Sequence, residues 1–160
     1  MPTEKNVFLL DDGTEEIVLK NHFGQEIARL HIRTGDYSII DRYTALEKEF
    51  PKITEPLTKI SLKADGTSAF DADWAALKEV ERVLIDRLNE LFGTDDMAQV
   101  FANRNAFSSV GGGYFYAEKV MEVLGQIITK SIEKGAKAAE KRTAKYLKDI
   151  NNAGPTANNA

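Results

Sequence analysis

Residues 71–93 read DADWAALKEVERVLIDRLNELFG, and the fold turns on this stretch. Trp74, Leu77, Val80, Leu84, Leu88 and Leu91 recur at steps of three and four, which places them on one stripe of an α-helix. Glu79, Glu81, Arg82, Asp86, Arg87 and Glu90 mostly fall outside that stripe. Burying apolar side chains at about 2 kcal/mol each does not offset the entropy of ordering a helix of this length, so other segments must pack against the stripe. Gly93 stands just past Phe92, where a left-handed cap residue is wanted. Thr94, Asp95 and Asp96 then offer an N-cap and an acidic first turn for a new helix.

On the N-terminal side, Val7 to Leu10 form a short apolar run closed by the turn signature Asp11-Asp12-Gly13. Ile17, Val18 and Leu19 follow in residues 15–21. His22-Phe23-Gly24 makes a second turn before residues 25–32, where Ala28, Leu30 and Ile32 alternate with Arg29 and His31. The pattern predicts a two- or three-stranded antiparallel meander. Asp36 is placed to cap a helix starting at Tyr37, with Ile39, Tyr43, Leu46 and Phe50 on one stripe, Ile40 beside it, and Pro51 ending the run. Residues 52–68 read as a loop with one short helical turn near 57–62.

Beyond the central helix, a short helix is expected over 95–102, carrying Met97, Val100 and Phe101, until Asn103-Arg104-Asn105 interrupts it. The glycine triplet Gly111 to Gly113 reads as a hinge or cap ahead of a final helix over 114–150. Its first half carries Phe115, Val120, Leu124, Ile127, Ile128 and Ile132, suited to packing on the central helix. Its second half is rich in Ala and Lys and has only Tyr146, Leu147 and Ile150 as large apolar groups. The last ten residues, NNAGPTANNA, have the composition of a disordered tail. The expected class is therefore α+β, mainly α: an N-terminal hairpin or meander, a helical bundle and a long C-terminal helix. A globular domain over 1–133 is followed by a basic helical arm over 134–150 and a tail over 151–160.

A chain of 160 residues is about one domain and can bury one sizeable core without staples. With no cysteine it has no disulfide and no thiolate chemistry. No apolar run reaches membrane-spanning length, and the start lacks a signal-peptide core, so a soluble, unexported protein is expected. Net charge is −4, distributed unevenly: residues 130–150 hold seven basic and three acidic side chains, a local +4 that leaves −8 for the rest. A negative body argues against nucleic acid as partner, and the arm lacks aromatics other than Tyr146 for stacking.

Candidate chemistry reduces to structure in each case. His22 falls in a turn and His31 in a strand, without metal-ligand spacing. The glycine triplet lacks the Gly-Lys-Ser/Thr continuation of a phosphate loop. Asp71, Asp73, Asp95 and Asp96 suit acidic first turns, and Asp11-Asp12-Gly13-Thr14 lacks the downstream glutamate of a calcium loop. The expectation is a protein without catalytic residues, metal or cofactor. The basic arm stands out as the functional feature, fit to dock an acidic or amphipathic partner or to order on meeting one.

The order of pieces also carries a resemblance. A hairpin passes into a helix through Gly35-Asp36 with Tyr43 downstream, a second long helix ends in Leu91-Phe92-Gly93, and Asn103-Arg104-Asn105 precedes a final long helix. Over about residues 25–134 this resembles the tail assembly chaperones of long-tailed, siphovirus-like bacteriophages and prophages of Gram-positive bacteria. The resemblance implies a non-enzymatic, largely helical protein of the host cytoplasm that binds the tape measure protein, keeps it soluble and recruits tail tube protein. It also implies frequent self-association, hence a possible homo-oligomer. Spacing and charge suggest a binding surface made of Phe115, Val120, Leu124 and Ile128 with Lys137, Lys141 and Lys145 from the arm. The rival readings are a structural component of the tail or head–tail connector, and a small nucleic-acid-binding regulator.

Overall fold

The computed structural model describes residues 5–59 and 70–157. The architecture is α+β and mainly helical: a two-stranded antiparallel sheet, three α-helices and a long C-terminal helix among them. Strand β1 (Thr14–Lys20) pairs with β2 (Glu26–Arg33), Thr14 opposite Arg33 and Leu19 opposite Ala28, with a bulge between Leu19 and Lys20. Alternation along β2 does what its sequence dictates: Ala28, Leu30 and Ile32 are buried, while His31 and Arg29 point outward. The intervening turn is tied by the Asn21 side chain, whose Oδ1 accepts the Phe23 and Gln25 N–H groups at 2.9 and 3.0 Å.

A third strand does not form among the described residues. Val7 to Leu10 run outside the sheet with exposures of 62–99%. The Asp11-Asp12-Gly13 turn is present, with Gly13 at φ +80° and Asp12 Oδ1 accepting both the N–H and the hydroxyl of Thr14. It leads into β1 from an unpaired segment and does not close a hairpin.

Asp36 ties the start of helix α1 (Ser38–Thr54), its Oδ1 accepting the Ser38 hydroxyl at 2.6 Å and its N–H at 2.9 Å, while Tyr37 holds the N-cap position without a side-chain cap bond. Those two bonds, with Arg42 nearby, hold the Asp36 carboxyl below the usual aspartate range. Ile39 and Leu46 are buried and Tyr43 and Phe50 pack at the core edge. Contrary to expectation, Pro51 does not end the helix. Its ring suits helical φ and only one donor is lost, and the Thr54 hydroxyl ties the last turn by donating to the Phe50 carbonyl at 3.0 Å. A 3-10 turn follows at Glu55–Lys59, so the segment expected as loop begins helical; residues 60–69 lie outside the described ones.

Helix α2 (Phe70–Phe92) is the central element. Leu84 and Leu88 are fully buried and Leu77, Val80 and Leu91 nearly so, but Trp74 is 39% exposed, one turn beyond where the core ends. On the wet face Arg82 bridges Glu79 and Asp86. Gly93 takes φ +62°, and the Thr94 N–H reaches back to the Asn89 carbonyl at 3.0 Å, the six-to-one bond that closes a helix on a left-handed residue. The predicted helix over 95–102 is a single 3-10 helix, Met97–Phe101, with all three predicted apolar residues buried. Thr94 is not its cap. Asn89 Oδ1 accepts the Met97 N–H instead, and Asp96 and Gln99 spend their side chains on the open edge of β2, accepting the His31 and Arg29 N–H groups at 2.8 and 3.0 Å. The bonds to His31 and Arg29 hold the sheet onto the helical layer, and the one from the His31 N–H depresses the Asp96 carboxyl.

The glycine triplet forms a closed turn, not a hinge. All three glycines have positive φ, Val110 N–H donates to the Tyr114 carbonyl at 3.0 Å, and Ser109 bridges Phe115. Helix α3 (Tyr116–Ala157) therefore begins two residues later than expected and runs 42 residues without a break. It includes residues 151–157 of the expected tail; residues 158–160 lie outside the described ones. Ala117, Val120, Met121, Leu124 and Ile128 are buried, and the backbone of α3 comes closer to α1 than to α2. Two contacts lock this packing. The Tyr43 hydroxyl donates to the Met121 carbonyl at 2.8 Å, and the Thr34 and Ser131 hydroxyls share a 2.6 Å hydrogen bond.

Candidate interaction surface

The residues expected to form one surface do not meet. Val120, Leu124 and Ile128 are 7, 0 and 5% exposed, committed to the protein's own core and closed to a partner. Phe115 is part-exposed, edge-on to Phe107 at 5.9 Å, and lines a shallow cavity of about 320 Å³ with Leu57, Trp74 and Leu77. Lys137, Lys141 and Lys145 are exposed on α3, and Lys145 lies about 37 Å along the helix axis from Val120.

What the fold does present is the rest of α3. Past Ile132, every residue from 133 to 152 is exposed, including Tyr146 at 65%, Leu147 at 53% and Ile150 at 45%. At 100° per residue this arm has two distinct faces. Ile132, Ala136, Ala139, Thr143, Tyr146 and Ile150 follow at steps of four, three, four, three and four and form one seam, with Leu147 beside it. Lys130, Lys134, Lys137, Lys141, Lys145 and Lys148 form a second stripe on the opposite side. The three lysines expected at the binding surface therefore face away from the arm's apolar residues. The seam is legible in residue spacing alone, but overall charge conceals it.

The seam continues into an open groove between α1 and α3 of about 880 Å³, lined by Ile40, Tyr43, Gly125, Ile128, Thr129 and Ile132. Glu47, Glu122 and Glu133 also line it, with Lys130. Gly125 lets Tyr43 reach the backbone of α3: a Cβ there would stand 2.8 Å from the Tyr43 hydroxyl. Burial, reinforced by Glu47 and Glu122, pushes the Tyr43 hydroxyl up to about 12. No short sequence window signals this groove, because its walls come from segments some eighty residues apart.

Asp96 lies with His31 and Glu16 at the sheet edge, the His31 Nδ1 and Nε2 at 3.2 and 3.1 Å from the two carboxylates. Among the described residues no group of three or more His, Asp or Glu is arranged to hold a metal ion, and no helix is long and apolar enough to cross a membrane. The side chain of Asp71 lies outside the described ones. No protein-family model, no curated protein and no solved structure matches the chain.

Proposed function

We propose that this protein is a tail assembly chaperone of a long-tailed bacteriophage, acting without catalysis in the host cytoplasm. It binds the tape measure protein, keeps that protein's apolar helices soluble and helps recruit tail tube subunits. The observation that carries the reading is the arm of α3: some twenty residues of helix stand clear of the core with Tyr146, Leu147 and Ile150 in solvent. Apolar side chains displayed in heptad order on a helix suit the capture of another helix. The order of hairpin, helices and long final helix is the further support. Co-expression with a tape measure protein tests this directly. The expected outcome is soluble co-elution of the two; precipitation of the tape measure protein with this chain left alone in solution overturns the reading.

A second reading is favoured by one observation. Four consecutive apolar residues, Val7 to Leu10, are exposed, as suits a segment buried permanently in an assembled particle. A structural tail or connector component is found in purified virions at stoichiometric amounts, whereas a chaperone is absent from them.

A further inference from the structure

The groove and the seam form one track. Ile132 belongs to both, and from Glu122 to Ile150 the track spans about 42 Å of helix. Its edge on α3 is acidic. Taking the seam as zero, Glu122, Glu133 and Glu140 fall at about 80 to 100° around the helix, a single flank, and Glu47 of α1 joins them at the groove. Glu122 lies 3.5 Å from Lys119 through an exposed, loosely held contact. On the other flank Arg142 and Asp149 offset each other. The lysine stripe, which makes the arm basic overall, lies on the far side of the helix from the seam, although its first member, Lys130, also lines the groove.

We infer that the track from Glu122 to Ile150 docks an amphipathic helix whose apolar heptad seam is edged by lysines or arginines. Net charge alone points the other way, to an acidic partner on a basic arm. Position decides against that. A helix seated on Tyr146, Ile150, Ile132 and the groove brings its flanking residues beside Glu47, Glu122, Glu133 and Glu140. The lysines from Lys134 to Lys148 meanwhile stay in water and keep the complex soluble. An antiparallel second copy of this arm fits poorly, since its same-side flank would set Glu133 and Glu140 against the same glutamates, and a parallel copy would offer them only the self-compensated flank of Arg142 and Asp149. In the functional reading above the occupant is a helix of the tape measure protein, and the docking chemistry stands or falls separately from that identification.

Two synthetic 28-residue peptides test it, both with Ile and Leu at heptad core positions, one with Lys and the other with Glu at the flanking positions. Binding to the full chain is measured by fluorescence anisotropy at low and high salt. The Lys-flanked peptide is expected to bind about 10-fold tighter at low salt, the preference shrinking as salt rises. The triple variant Glu122→Lys, Glu133→Lys, Glu140→Lys removes or reverses the preference. Tyr146→Asp with Ile150→Asp, both at exposed positions, abolishes binding of either peptide while the circular dichroism of the chain is unchanged. Tighter binding of the Glu-flanked peptide overturns the proposal and makes the lysine stripe the docking face. Equal binding, no binding, or a stable dimer of the free chain by sedimentation also overturns it. If the tape measure protein fails to co-elute while the peptide preference holds, the functional reading falls and the track remains.

Discussion

The two halves of α3 share one backbone and almost nothing else. From Tyr116 to Ile132 the helix is a wall of the core, with Leu124 fully buried and Ile128 nearly so. From residue 133 onward the same helix buries nothing among the described residues. Helical order in the first half is secured by tertiary packing; in the second it rests on intrinsic propensity, supplied by alanine and lysine. A helix that continues well past the last residue it can bury exposes a surface that contributes nothing to the fold. That surface is free to be specified by a partner.

The largest contrast is a matched pair of truncations. Leu124→Ala is expected to cost about 3 kcal/mol in urea denaturation, since a fully buried leucine loses its burial and leaves a cavity. Leu147→Ala, at a 53% exposed site, should change stability by less than about 0.5 kcal/mol. Equal costs would mean that the arm packs on the body after all.

A sharper form uses one substitution at two places. At Gly125 an added Cβ meets the Tyr43 hydroxyl at 2.8 Å, whereas at Gly135 it meets nothing within 4 Å. Gly125→Ala should destabilise by about 1–2 kcal/mol, because the crowding outweighs the gain in helix propensity. Gly135→Ala should raise helix content and stability by about 0.5–1 kcal/mol, read by circular dichroism and thermal melts. Opposite signs along a single helix are the signature of the division.

The smallest effect concerns the hydroxyl that fills the space beside Gly125. Tyr43→Phe loses the bond to the Met121 carbonyl, at a cost of about 1 kcal/mol near neutral pH. The Tyr43 hydroxyl titrates at about 12 in the fold against an ordinary value of 10.0. The folded state thus holds the proton more tightly, and the associated stability is complete below pH 10 and lost as pH rises towards 12. Alkaline unfolding followed in both chains should show this step in the native chain and a weaker one in Tyr43→Phe.

Much of the core was legible because it is written locally. The steps from Leu77 to Leu91, the alternation Ala28-Leu30-Ile32 and the Phe92-Gly93 stop each occupy a few consecutive turns or a single strand, so periodicity alone locates them. Pro51 misled because a proline signals a missing donor but not whether the surrounding packing tolerates its loss. Thr94 misled because capping ability was assigned to the nearest hydroxyl, while Asn89, a turn earlier, supplies the acceptor for Met97. The binding surface was read least well. Val120, Leu124 and Ile128 satisfy the requirements of a core stripe and of a docking stripe equally, and spacing does not say which neighbours arrive to cover them. The groove was beyond reach, since Ile40, Tyr43 and Gly125 converge only through the packing of α1 on α3.

Hydrogen exchange along α3, resolved by mass spectrometry with the chain alone and again with its proposed partner, a tape measure protein, tests the central division most directly. The account predicts slow exchange for residues 117–132 in both samples. Residues 133–157 should exchange fast in the free chain and become protected in the complex. Uniform protection of the whole helix in the free chain, or an arm whose exchange is unchanged by the partner, would contradict it.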